Sequence, residues 1–86
     1  MDQFVNELVE TILSLKKKEI ALAFLQNILT PAELDEIATR LQIVKLLKKG
    51  VPQREVAKKL GVSIGTVSRG ARELKYGVPG FKNVLK

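Results

Sequence analysis

The stretch Gln53-Arg-Glu-Val-Ala-Lys-Lys-Leu-Gly-Val-Ser-Ile-Gly-Thr-Val-Ser-Arg69 carries the most specific chemistry in this 86-residue chain. Its second half gathers small polar and basic side chains: Ser63, Gly65, Thr66, Ser68 and Arg69, with Arg72 one turn further on. On the outward face of a helix, short side chains let the backbone approach a groove, and arginine brings donors in a fixed fork. A helix of that kind can enter the major groove of duplex DNA, roughly 12 Å wide, and set its side chains against base edges. The pattern meets the requirements of a helix-turn-helix. Ala57 is small where two helices cross closely, and Gly61 can take the positive φ of a tight turn. Val56, Leu60, Val62 and Val67 supply the core shared by the two helices.

Other chemistries lack their residues. The chain has no Cys and no His, which removes disulfides, thiol nucleophiles, most zinc sites and imidazole base catalysis. It shows no paired carboxylates in a cleft-like context, no phosphate loop and no metal-ligand cluster, so the residues point away from an enzyme. Few aromatics are available to stack on unpaired bases, which disfavours RNA. Lys48, Lys49, Lys58 and Lys59 suit phosphate attraction better than base reading.

Helical periodicity dominates the elements that must position this segment. Phe4, Val5, Leu8, Val9, Ile12, Leu13 and Leu15 recur at steps of three and four and predict one apolar stripe on a first helix. Ile20, Leu22, Phe24, Leu25, Ile28 and Leu29 make a second helix apolar almost all round, more than one small monomer can cover. Both read as dimerisation helices, with an ordinary monomeric bundle as the alternative. Thr30-Pro31-Ala32-Glu33 is a helix start with the makings of a capping box. The third helix continues through Ile37, Ala38, Leu41, Val44 and Leu47 to a stop at Gly50. Helix four spans about 53–60. Helix five, capped by Ser63, spans about 64–75 and stops at Gly77, and a short helix of about 80–85 follows Pro79. The fold class is all-α, with six helices in one domain over 1–86. Residues of about 4–49 serve dimerisation, about 53–75 form the helix-turn-helix, and 79–86 close the chain.

The charge is divided. Residues 1–43 hold four basic against seven acidic side chains, whereas residues 44–86 hold eleven basic against two acidic. A basic half on an acidic half suggests a polyanion-binding module joined to a partnering module. A chain this short buries only about 60% of its unfolded surface, so oligomerisation is the expected source of stability. No apolar run approaches the roughly 20 residues of a membrane span, and Met-Asp-Gln is not a secretion-signal start, so a cytoplasmic location is expected.

With the helix-turn-helix placed, the chain resembles the tryptophan repressor family. The matching text is Leu29-Thr30-Pro31, then Thr39-Arg40-Leu41-Gln42-Ile43-Val44 with Leu46-Leu47 and Gly50. Gln53-Arg54-Glu55 follows, and then Thr66-Val67-Ser68-Arg69-Gly70 with Leu74-Lys75. The resemblance implies an intertwined homodimer of six-helix chains that represses transcription from a palindromic operator, with L-tryptophan as corepressor and no prosthetic group. It implies that Arg40 and Arg69 sandwich the indole, Arg69 pairing also with the ligand carboxylate beside Thr30. The carbonyls of Asn27 and Leu29 would receive the α-amino group, and Gly70 would leave space for the ring. Glu73 stands where tryptophan-binding members carry a small hydroxyl residue, and can pair with the ammonium or repel the carboxylate. The turn before Gln53 is one residue shorter than in the family and contains Pro52.

The expected DNA face is Gln53, Arg54, Ile64, Gly65, Thr66 and Ser68, with Lys58 and Lys75 near phosphates. Two other readings stay open. Ile12-Leu13-Ser14-Leu15-Lys16 and Leu74-Lys75-Tyr76-Gly77 look like a sister branch of the superfamily, which implies a ligand-independent regulator. The other is a helical adaptor whose basic face docks an acidic protein.

Overall fold

The computed structural model describes residues 2–85. Among them stand six helices and no strand: α1 (Asp2–Leu13), α2 (Lys18–Ile28), α3 (Pro31–Lys48), α4 (Gln53–Leu60), α5 (Ile64–Tyr76) and α6 (Gly80–Val84). The all-α class and the order of elements agree with the periodicity of the sequence. The chain falls into two compact units, one ending at Leu34 and the other beginning at Asp35.

In the first unit α1 stops at Leu13, short of the expected Leu15. Ser14 turns its hydroxyl back onto the Thr11 carbonyl at 2.6 Å, and its backbone N–H is shared between Glu10 and Thr11. A serine that bonds its own backbone in this way competes with helix propagation. α1 and α2 contain no buried residue. Phe4, Val5, Leu8, Val9, Ile12, Leu13, Ile20, Leu22 and Ile28 are all exposed, Phe4 to 71% and Leu13 to 77%. The start of α3 is built as a capping box. The Thr30 N–H donates to Glu33 Oε1 at 2.8 Å, and the Glu33 N–H donates to Thr30 Oγ1 at 3.2 Å.

The second unit owns the core. Ile43, Val44, Val56 and Val67 are the fully buried side chains. Leu46, Leu47, Val51, Ala57, Leu60 and Val62 pack around Ile43, Val56 and Val67. The expected shared core of Val56, Leu60, Val62 and Val67 is therefore assembled, with α3 as its third wall. Gly50 and Gly61 take φ of +88° and +67°, the left-handed region that glycine enters without a Cβ penalty. Gly61 closes α4, its N–H donating to the Ala57 carbonyl. α5 runs one residue further than expected and α6 one residue less. Lys48 Nζ donates to the Leu85 carbonyl, which ties the end of α6 to α3. No described helix is long and apolar enough to cross a membrane.

Candidate functional site

The start of α5 is set by one residue. Ser63 Oγ accepts the Thr66 backbone N–H at 3.1 Å, and the Ser63 and Thr66 hydroxyls lie 2.8 Å apart. One of the free N–H groups of the first turn is thereby satisfied, which fixes where the helix starts. Ile64, Gly65 and Ser68 then stand exposed, while Val67 is buried against α4. The outer side of Gly65 is bare. A Cβ built there would meet only Ser63 Oγ, at 3.8 Å.

α4 adds Gln53, Arg54 and Lys58, all exposed. Ser68 Oγ donates to Gln53 Oε1 at 2.9 Å, so a direct side-chain bond links α4 to α5. Lys75 is exposed in the last turn of α5, its Nζ 5.4 Å from the centre of the Tyr76 ring, a cation–π distance. Seven of the eight residues expected to face DNA are exposed. Thr66 is half-buried.

The second unit also holds an open cleft of about 850 Å³. Arg40, Arg69, Gly70 and Glu73 line it together, and Thr66 reaches it from the first turn of α5. Ile43 and Val62 form its apolar part. Asn27, Leu29 and Thr30 belong to the first unit and are not among the lining residues. Asn27 is exposed in α2, and the Leu29 N–H closes α2 on the Leu25 carbonyl. The Thr30 hydroxyl is engaged with Glu33. The Glu33 carboxyl is held below the usual carboxylate range, first by the N–H of Thr30 and then by its side chain.

Three lining residues went unread in the sequence, Asp35, Glu36 and Phe81, and Thr39 was read only as matching text without a place in the site. Glu36 precedes Arg40 by four, one helical turn, so its place on the same face was available from spacing. Phe81 had no such signal, since it reaches the cleft only through the way α6 folds back. Among the described residues there is no group of His, Cys, Asp and Glu placed to hold a metal ion.

A family model described as "Trp repressor protein" matches residues 3–86. A "Trp operon repressor homolog" of Actinobacillus succinogenes is 43% identical over 77 residues, covering 88% of this chain and 76% of that protein. "Uncharacterized protein YerC" of Bacillus subtilis is 31% identical, over 94% of this chain and 78% of its own. Among solved structures, a TrpR like protein from Eubacterium eligens superposes with a TM-score of 0.90 at 34% identity, covering 95% of this chain and 84% of that one.

Proposed function

Because the chain belongs to the Trp repressor family, whose members are regulatory proteins and not enzymes, we propose that it is a cytoplasmic, sequence-specific DNA-binding repressor that acts as a homodimer. One observation carries the DNA-binding reading. Val56 and Val67 lock α4 against α5, while Gln53, Arg54, Lys58, Ile64, Gly65 and Ser68 are left outside on the two helices. A recognition helix with a small, polar outer face and lysines beside it has what base-edge and phosphate contacts require.

The dimer is supported by the first unit. Nine large apolar side chains of α1 and α2 stand exposed, on helices whose sequence calls for burial. A two-fold pair of reading heads would address half-sites about 34–36 Å apart on a palindromic operator.

The effector part of the reading assigns L-tryptophan to the cleft of the second unit. Arg40 and Arg69 share that cleft with apolar Ile43 and Val62, which fits a flat ring flanked by guanidinium groups. The Asn27 and Leu29 carbonyls would be contributed by the partner chain. Binding would then set the spacing of the two recognition helices.

Selection of duplexes from a random pool, followed by titration of the selected sequence at several salt concentrations, tests the DNA-binding reading. A repeated two-fold motif, bound with strong salt dependence, is the expected result. Weak attraction blind to sequence would replace it with the adaptor reading. Titrating the chain into L-tryptophan, with an Arg69→Ala control, tests the effector. The chain contains no Trp, so free ligand is the only indole in solution. Absence of binding would leave a ligand-independent regulator.

A further inference from the structure

Every hydroxyl from Ser63 to Ser68 is engaged inside the protein. The Ser63 and Thr66 hydroxyls are bonded to each other at 2.8 Å, and Ser63 Oγ accepts the Thr66 N–H at 3.1 Å. The Ser68 hydroxyl donates to Gln53 Oε1 at 2.9 Å.

The last of these bonds differs in kind. Ser63 and Thr66 are three residues apart and cap their own helix. Ser68 and Gln53 are fifteen residues apart, on different helices, and both are exposed. A bond between two solvated side chains returns little to stability, because water would satisfy either group. Its larger effect is on geometry. The glutamine carboxamide has two chemically opposite ends, an oxygen that accepts and an amine that donates. Ser68 takes the accepting end, which leaves the two N–H groups of Nε2 for a partner outside the chain. Arg54 and Lys58, exposed on the same helix, also bring only donors. A duplex answers donors with acceptors: phosphate oxygens along the backbone, and purine N7 and guanine O6 on base edges.

We infer that Ser68 is a positioning residue for DNA binding, whose hydroxyl holds the Gln53 carboxamide so that Nε2 donates to a hydrogen-bond acceptor of the duplex. The inference rests on the DNA-binding reading and adds the part that this pair plays in it. Ser68 acts through Gln53 and needs no base contact of its own. Without the hydroxyl, either end of the carboxamide can turn outward. The bound orientation then has to be drawn from a larger set, and affinity falls.

Four full-length chains test this: wild type, Ser68→Ala, Gln53→Ala and the double variant. Each is titrated with the selected duplex and with an unrelated one, and unfolded in urea. Ser68→Ala should bind the selected duplex about fivefold more weakly at an unmoved urea midpoint, and Gln53→Ala about tenfold more weakly. The double variant should bind no more weakly than Gln53→Ala alone. Ser68→Thr, which keeps the hydroxyl, should restore binding. A loss shared equally by both duplexes places the acceptor on a phosphate, whereas a loss confined to the selected duplex places it on a base edge.

Unchanged binding in Ser68→Ala would overturn the inference. Losses that add in the double variant would overturn it too, since Ser68 would then work without Gln53. So would a fall in affinity that only follows a fall in the urea midpoint, the mark of a helix-to-helix staple. The DNA-binding reading survives all three results. If wild type selects no duplex, that reading and the inference fall together.

Discussion

Gly70 and Ile43 meet so closely that a Cβ on the glycine would stand 2.9 Å from Ile43 Cγ2. Both residues are buried, one on α5 and one on α3. The absent side chain is what lets α5 settle against α3. The sequence resemblance gave Gly70 to ring clearance, whereas the packing assigns it a structural duty as well. Gly70→Ala should lower stability by about 1–3 kcal/mol, as overpacking of a tight core does. A lower urea midpoint at unchanged m would register it. Ile43→Ala removes the offending methyl, so adding Gly70→Ala to that background should cost little more than Ile43→Ala alone. Strict additivity in the double-mutant cycle would show that the two residues do not compete for the same space.

The capping box at the start of α3 predicts a pH dependence. Glu33 is held below the ordinary carboxylate range by the Thr30 N–H and hydroxyl. A carboxyl whose folded pKa is depressed contributes stability in full above its unfolded pKa and loses it as pH falls through the folded value. Thermal melts of wild type and Glu33→Gln should therefore differ near neutrality and converge under acid conditions. Thr30→Ala, which removes the cap itself, should cost about 1 kcal/mol. A difference between wild type and Glu33→Gln that grows as pH drops would reverse the sign and refute the linkage.

Local chemistry made most of the second unit legible. Gly61, Ser63 and the valines at 56, 62 and 67 each have a local reason for their place, and α4 begins and ends where those reasons put it. Ser14 was less readable, because its hydroxyl chooses between solvent and the Thr11 carbonyl only once the turn exists. The cleft was half visible. Arg40, Arg69, Gly70 and Glu73 came from the resemblance, and Glu36 was one turn from Arg40 on the same helix. Phe81 depends on a contact between segments far apart in sequence, which no periodicity carries. For the same reason, the bond from Ser68 to Gln53, fifteen residues away, could be seen only after α4 and α5 were packed.

Thr66 occupies two environments, bonded to Ser63 on one side and lining the cleft on the other. Its methyl and hydroxyl leave little bulk on the first turn of α5. Thr66→Phe should abolish discrimination among duplexes, a loss of about 1–3 kcal/mol between the selected site and a mismatched one. Oligomeric state by sedimentation should not change, because the residue lies outside the first unit. A variant that still protects the same sequence would remove Thr66 from the reading face.

Lys58 is exposed in the last turn of α4, with its charge on the same helix as Arg54. A phosphate contact there adds affinity without sequence information. Lys58→Ala should weaken binding to selected and unselected duplexes by the same factor and reduce the salt slope by about 1. Arg54→Ala, in contrast, should narrow the ratio between the two. If Lys58→Ala alters the selected sequence while the salt slope stays fixed, the lysine reads bases and the phosphate assignment is wrong.

A dimer formed through α1 and α2 would have a melting temperature that depends on concentration. Leu8, Val9 and Ile12 are between 40% and 48% exposed on α1, a stripe with the spacing of a packing face. If a second copy covers it, folding of the first unit and association are one equilibrium, and the midpoint rises with protein concentration by mass action. Leu8→Lys places a charge in that face. It should lower the melting temperature of dilute protein and yield a monomeric or partly unfolded species in sedimentation experiments, because a buried unpaired charge is not tolerated. The second unit keeps its own core of Ile43, Val56 and Val67, so α4 and α5 should retain native hydrogen-exchange protection longest in that variant. A melting temperature independent of concentration, matched by an unaffected Leu8→Lys chain, would show that α1 makes no such interface.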